Sequence, residues 1–190
     1  MDAASVRIMM TLVVLAHPYP DRSRANRALV GALDGLADVE VRSLYDLYPD
    51  YAIDAAAEQK ALAAASLVVW QHPLFWYSVP ALLKLWFEKV LTSGWAWGHG
   101  GDALRGKRCL WVVTTGGDAL DYSPAGVHRH PLEAFVPGVR QTAEFCGMEW
   151  LEPIVVQEAH QLDADALATW GRHYRARLAA LAAEETIRDE

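Results

Sequence analysis

Ile8-Met-Met-Thr-Leu-Val-Val-Leu-Ala16, running directly into His17-Pro-Tyr-Pro-Asp-Arg-Ser-Arg-Ala-Asn26, is the stretch that decides the fold. The first nine residues are almost wholly apolar, with no polar alternation. That is the signature of a strand buried on both faces, and strands buried on both faces belong to parallel sheets. The run is too short to span a bilayer. It has neither the basic flank nor the small-residue cleavage site of a signal peptide. The polar loop behind it ends in Ser23, a good helix cap, and a helix from there to about Leu36 completes a strand–loop–helix unit.

Outward from this unit the alternation continues. Val39–Ser43 reads as a second, more polar strand at an edge. Leu67–Gln71 is the third, Arg108–Thr114 the fourth and Glu149–Val156 the fifth. Asp54 caps an Ala-rich helix over Ala55–Ala65. Pro80 opens a helix to about Leu91, with Leu82, Leu83, Trp86, Phe87 and Val90 as its apolar stripe. Pro131 opens another, ending near Cys146-Gly147, and Asp163 or Asp165 starts a last one to about Ala183. This is a doubly wound α/β pattern, and five strands imply the order 2-1-3-4-5 with helices on both faces.

The 190 residues fit one domain spanning 1–190, with Glu184–Glu190 reading as a fraying tail. Hydrophobic residues at 53% and charged residues at 22% exclude general disorder. A net charge of −7 with no basic stripe argues against nucleic acid as a partner. Cys109 and Cys146 are too few and too far apart for a disulfide scaffold or a zinc site. His128-Arg-His130 lacks matched ligands, so no metal is expected. A reducing, cytoplasmic setting is the default.

In such sheets ligands sit beyond the carboxyl ends of the strands, where strand order reverses. Three loops therefore matter. The first, His17–Asn26, carries neither the dinucleotide nor the ATP fingerprint. Ser23 and Asn26 as donors, Arg22 or Arg24 as charge, and the free amides of a helix start make a monophosphate cradle; equally, Ser23 merely caps the helix. The second, His72-Pro-Leu-Phe-Trp-Tyr-Ser-Val-Pro80, sets three aromatics between prolines, as core or as the wall of a planar ring. The third, Thr114-Thr-Gly-Gly117, lets a ligand approach backbone closely, or simply turns the chain.

At these loops the chain resembles the flavodoxin-like NAD(P)H:quinone oxidoreductases of the DT-diaphorase type. Within them it is most similar to the Kef-type ancillary flavoproteins of glutathione-regulated potassium-efflux systems. The stretches that carry the likeness are Ala16–Pro20 with Ser23–Asn26, Ser43–Pro49, Trp70–Trp86, Gly94–Gly101 and Thr114–Gly117, in this order and spacing. The resemblance implies a flavodoxin-like fold and bound flavin; FMN is favoured, with FAD the alternative, because the chain is shorter than the FAD-using diaphorases and shows no extra segment to hold an adenine. It places His17, Ser23, Arg24, Ala25 and Asn26 on the FMN phosphate. Leu74, Phe75, Trp76 and Tyr77 line the ring, and Thr114, Thr115, Gly116 and Gly117 meet its pyrimidine side.

The diaphorase branch also carries a Tyr and a His beside the flavin, matched here by Tyr122 and His128. Hydride arriving at flavin N5 leaves negative charge near N1 and O2, which a phenol backed by an imidazole stabilises. The ordinary alternative is a Tyr and a His in a surface loop. Trp95, Trp97 and His99 either pack under their Gly-rich loop or, as the resemblance implies, reach across a homodimer to close the partner's site. The implied activity is two-electron transfer from NAD(P)H through FMN to a quinone. The alternative is a regulatory subunit docked on a membrane potassium/proton antiporter, peripheral on the cytoplasmic face of the inner membrane.

Overall fold

The computed structural model describes residues 10–188. Its centre is a parallel sheet in which β1 (Thr11–Leu15) lies between β2 (Val39–Ser43) and β3 (Leu67–Pro73), and β3 pairs in turn with β4 (Arg108–Thr114). Every residue of β1, β3 and β4 is buried, as unbroken apolar runs require, whereas β2 is partly exposed at its edge. Ile8 and Met9, counted in the first strand from sequence, lie outside the described residues.

The strand order is the expected 2-1-3-4-5, but the fifth position holds two short pieces. β5 (Glu149–Trp150) pairs with the start of β4, and β6 (Ile154–Val156) pairs with its end. The cause is local. The Leu151 amide still donates to the Cys109 carbonyl at 2.9 Å, but Pro153 has no N–H with which to continue the ladder.

Among the described residues six α-helices flank the sheet: α1 (Arg24–Gly31), α2 (Leu44–Leu47), α3 (Ala55–Ala64), α4 (Ala81–Val90), α5 (Pro137–Phe145) and α6 (Ala164–Arg188). The two-residue period of each strand divides the core. Leu12, Val14, Trp70 and Trp111 face α2, α3, α4 and α5, while Val13, Val69, Leu110 and Val112 face α1 and α6. Helix ends differ from expectation where turn chemistry intervenes. α1 stops at Gly31, and the chain turns through Gly35 in the left-handed region (φ 78°). Pro131 opens only a 3₁₀ turn, Leu132–Phe135, before Pro137 starts α5. α6 continues past Ala183 to Arg188, so most of the expected tail is helix; residues 189 and 190 lie outside the described residues.

One buried carboxylate ties the edge strand to the helices. Glu58 is fully buried on α3. Its Oε1 accepts from Arg42 Nε (2.8 Å), Arg42 Nη2 (2.6 Å) and the Tyr48 hydroxyl (2.6 Å), and its Oε2 from Trp86 Nε1 (2.8 Å). A charge so placed is tolerable because every side of it meets a donor.

Candidate functional site

The loops after β1, β3 and β4 converge on one cavity of about 260 Å³, lined among others by His17, Arg22, Ser23, Arg24, Ala25, Leu74, Phe75, Thr115 and Gly116. At one end the backbone of α1 begins. Ser23 accepts from the Asn26 amide at 3.2 Å and so caps the helix. The amides of Arg24 and Ala25, one turn too early for an intrahelical partner, have none among the described residues. With Arg22 and Arg24 among the lining residues, this end of the cavity suits an anion. Asn26 does not line it. That side chain is buried, donating to Thr114 Oγ1 at 3.1 Å, while its Oδ1 and its carbonyl accept from Gln71 Nε2 at 3.2 Å each. It is a strut that fixes the start of α1 to the ends of β3 and β4.

His17 lies on the cavity wall, edge-on to Phe75 with ring centroids 5.9 Å apart. Burial pushes its imidazole below the usual value. The Tyr19 amide donates to Nδ1 at 3.0 Å, so the neutral ring carries its proton on Nε2.

The aromatic loop is a tight hairpin. Leu74 N–H donates to the Thr114 carbonyl (2.8 Å), and Phe75 and Ser78 exchange both backbone hydrogen bonds (3.1 and 3.0 Å). Trp76 and Tyr77 between them have φ of 50° and 63°, the arrangement of a type I′ turn. Phe75 turns toward the cavity, and Trp76 projects with 93% of its surface exposed.

Opposite, Thr115 is held at both backbone groups: its N–H donates to the Val156 carbonyl, and its carbonyl accepts from Ala159, both at 2.9 Å. Its hydroxyl donates to the Gly117 carbonyl at 2.8 Å. The two glycines differ. A Cβ on Gly116 would meet nothing within 4 Å; one on Gly117 would lie 2.8 Å from Asp121 Oδ2 and 3.1 Å from His128 Nε2. Ala159 and His160, which also line the cavity, escaped sequence reading. They come from the loop after β6, whose carboxyl end faces the same crevice; that topological rule was the available signal.

Tyr122 and His128 do meet, but as stacked rings, with centroids 4.2 Å apart and planes 28° from parallel. The imidazole finds its hydrogen bond elsewhere, at Tyr77, whose hydroxyl lies 3.3 Å from Nδ1. Burial first, then the neighbouring Tyr77 and Asp121, pushes the Tyr122 phenol above its usual value, so it stays a proton donor at neutral pH. Trp95 packs against the core, and Trp97 donates to the Leu91 carbonyl at 2.9 Å, with its ring 5.4 Å from Phe145. Trp97 lines a second groove of about 590 Å³ between α4 and α5 that reaches Tyr77 and Phe135. His99 is exposed.

Beneath the site, His72 is fully buried at the end of β3. Trp111 Nε1 donates to its Nε2 at 2.7 Å, and its Nδ1 therefore carries the proton donated to the Pro73 carbonyl at 2.8 Å. Burial pushes this imidazole down to about 4.

Residues 9–178 match the family described as having a flavodoxin-like fold. A glutathione-regulated potassium-efflux system ancillary protein, KefF, from Salmonella typhimurium is 50% identical over 172 residues, covering 90% of this chain and 96% of the relative. The general stress protein 14 of Treponema denticola, solved in complex with FMN, superposes with a TM-score of 0.84 at 34% identity, covering 90% of this chain and 99% of that one. An NADPH-quinone reductase from P. pentosaceus gives a TM-score of 0.80 at 28% identity, covering 88% and 96%.

Proposed function

This chain belongs to the family with the flavodoxin-like fold, and on that premise we propose that it is an FMN-dependent oxidoreductase that takes reducing equivalents from NAD(P)H and delivers them to a quinone. The observation that carries the reading is the cavity at the carboxyl ends of β1, β3 and β4, with an anion-binding end and an aromatic end. Its residues fit FMN. Arg22, Arg24 and the unpartnered amides of Arg24 and Ala25 suit a monophosphate. Gly116 leaves backbone open where a Cβ would protrude, and Phe75 offers an apolar face to a flat ring. FMN, when bound, would supply two-electron hydride chemistry between NAD(P)H and the acceptor.

The chain's own groups do the rest. Ser23 and Asn26 hold the amides of α1 in place. The Leu74–Thr114 and Phe75–Ser78 hydrogen bonds fix the ring-facing backbone before any ligand arrives. Tyr122, kept protonated by burial, donates toward negative charge on the pyrimidine side, with His128 against its face. The groove carrying Trp97 and the exposed Phe145 seats a second copy of the chain, which completes a homodimeric site.

A second reading is favoured by 50% identity to a protein that is by name ancillary to a potassium-efflux system: the chain also serves such a system as a regulatory flavoprotein on a potassium/proton antiporter. Among the described residues no helix is long and apolar enough to cross a membrane.

The test is purification and mass identification of any yellow chromophore, followed by steady-state NAD(P)H oxidation with a benzoquinone acceptor and light scattering at the assay concentration. FMN at one per chain, quinone-dependent turnover and a dimer are expected. Failure to bind FMN or FAD at micromolar concentration overturns the whole reading.

A further inference from the structure

Tyr77 sits at the tip of the hairpin, with its ring stacked on Phe135 (centroids 5.0 Å apart, 28° between planes) and its hydroxyl on His128 Nδ1. His128 is enclosed. One face lies on Tyr122, its main-chain N–H donates to the Asp121 carbonyl at 3.1 Å, and Nε2 lies close against Gly117. Tyr77 provides its one side-chain hydrogen bond among the described residues. Stacked rings share no hydrogen bond, so Tyr122 serves His128 as a shelf, and the group that decides where the imidazole proton sits is Tyr77.

We propose that Tyr77 is a positioning residue for His128: its phenol donates to Nδ1 and so holds the imidazole in the tautomer with the proton on Nε2, presenting an N–H beside Gly117. A phenol is a better donor than acceptor, and an unprotonated imidazole nitrogen is a good acceptor, so this direction satisfies both partners. The Nε2–H points to the post-β4 loop, where an electron-rich oxygen or nitrogen of a bound ring gains from a donor fixed in advance. The inference deepens the flavin reading and rests on it for the identity of that ring. The arrangement of the three side chains does not.

Labelling histidine with ¹⁵N and recording two-bond ¹⁵N–¹H correlations reports which ring nitrogen is protonated. In the flavin-free protein, His128 is expected with Nε2 protonated and Nδ1 at the shift of a hydrogen-bond acceptor. Tyr77→Phe, which keeps the stack on Phe135, should remove the acceptor shift from Nδ1; Tyr122→Phe, which keeps the shelf, should not. With FMN bound, Tyr77→Phe should leave the dissociation constant within about twofold and slow flavin reduction in stopped flow by about tenfold, since the imidazole itself remains. A proton on Nδ1 in the unaltered protein, a Tyr77→Phe spectrum identical to it, or reduction at full speed in the variant overturns the proposal. A protein that binds no flavin fails the functional reading instead, and the flavin-free spectra still decide the Tyr77–His128 pair.

Discussion

Lowering the pH should destabilise this protein through one residue. His72 is fully buried, with both ring nitrogens engaged, and its imidazole is held at about 4, against about 6.5 in an unfolded chain. Between those values the unfolded state binds a proton that the native state refuses, so stability falls as pH falls. The contribution is fully present above about pH 6.5 and fully lost below about pH 4. The gap is worth about 3 kcal/mol in all, of which about 2 kcal/mol should go between pH 7 and pH 5. For a chain of this length that is about 4–8 °C in Tm. His72→Gln can still donate to the Pro73 carbonyl and accept from Trp111 but cannot titrate. Urea unfolding of both proteins across this range isolates the histidine from other titrating groups, because the difference between the curves reads His72 alone. Parallel curves from pH 7 to 5 would refute the reasoning. So would a His72 ring proton resonance that titrates near 6.5 in the intact protein, whether or not the variant folds.

Gly117→Ala should cost about 1–3 kcal/mol, because the new Cβ meets Asp121 and His128, whereas Gly116→Ala should leave the melting temperature unchanged and weaken FMN binding; thermal melts and flavin fluorescence quenching separate the two. Glu58→Ala strands the Tyr48 hydroxyl and the Trp86 indole and leaves Arg42 with Glu40 alone, and should lose about 3–5 kcal/mol in urea titration. Asn26→Ala should weaken FMN binding by roughly tenfold although Asn26 is buried away from the cavity, since it removes the strut to Thr114 and Gln71. A fluorescence titration of Asn26→Ala indistinguishable from the unaltered protein would show the strut to be dispensable; Ser23→Ala should take about 1 kcal/mol from helix stability.

The sheet was legible because β1, β3 and β4 are buried on both faces and so carry unbroken apolar runs, Leu12–Leu15, Leu67–Trp70 and Cys109–Val113. The break in the fifth strand was marked by Pro153, whose missing N–H is a local fact. It was easy to overlook because the apolar pattern resumes at once in Ile154–Val156. The cavity followed from topology and three loops. Its fourth wall, Ala159 and His160, depends on β6 reaching as far as the end of β4, which no spacing in the chain states. The division of labour at the site was least legible. Asn26 reads as a donor to a ligand until the register of β3 places Gln71 against it. His128 reads as the partner of Tyr122, six residues away, until a hairpin tip 51 residues distant supplies the closer hydroxyl.

That tip has a consequence for anyone who would harden the protein. Trp76 and Tyr77 both occupy left-handed backbone that Asn and Gly enter far more easily. Each non-glycine residue there costs on the order of 1 kcal/mol, and an indole left almost wholly in water returns little of it. Installing Asn at 76 should therefore raise the melting temperature while stripping the hairpin of the ring it holds out, whereas Gly at 77 would give up the stack on Phe135 and the hydroxyl on His128 along with the strain. Selection for thermal resistance alone would drift toward the first change, so the hairpin tip is where stability screens and activity screens of this protein should part company.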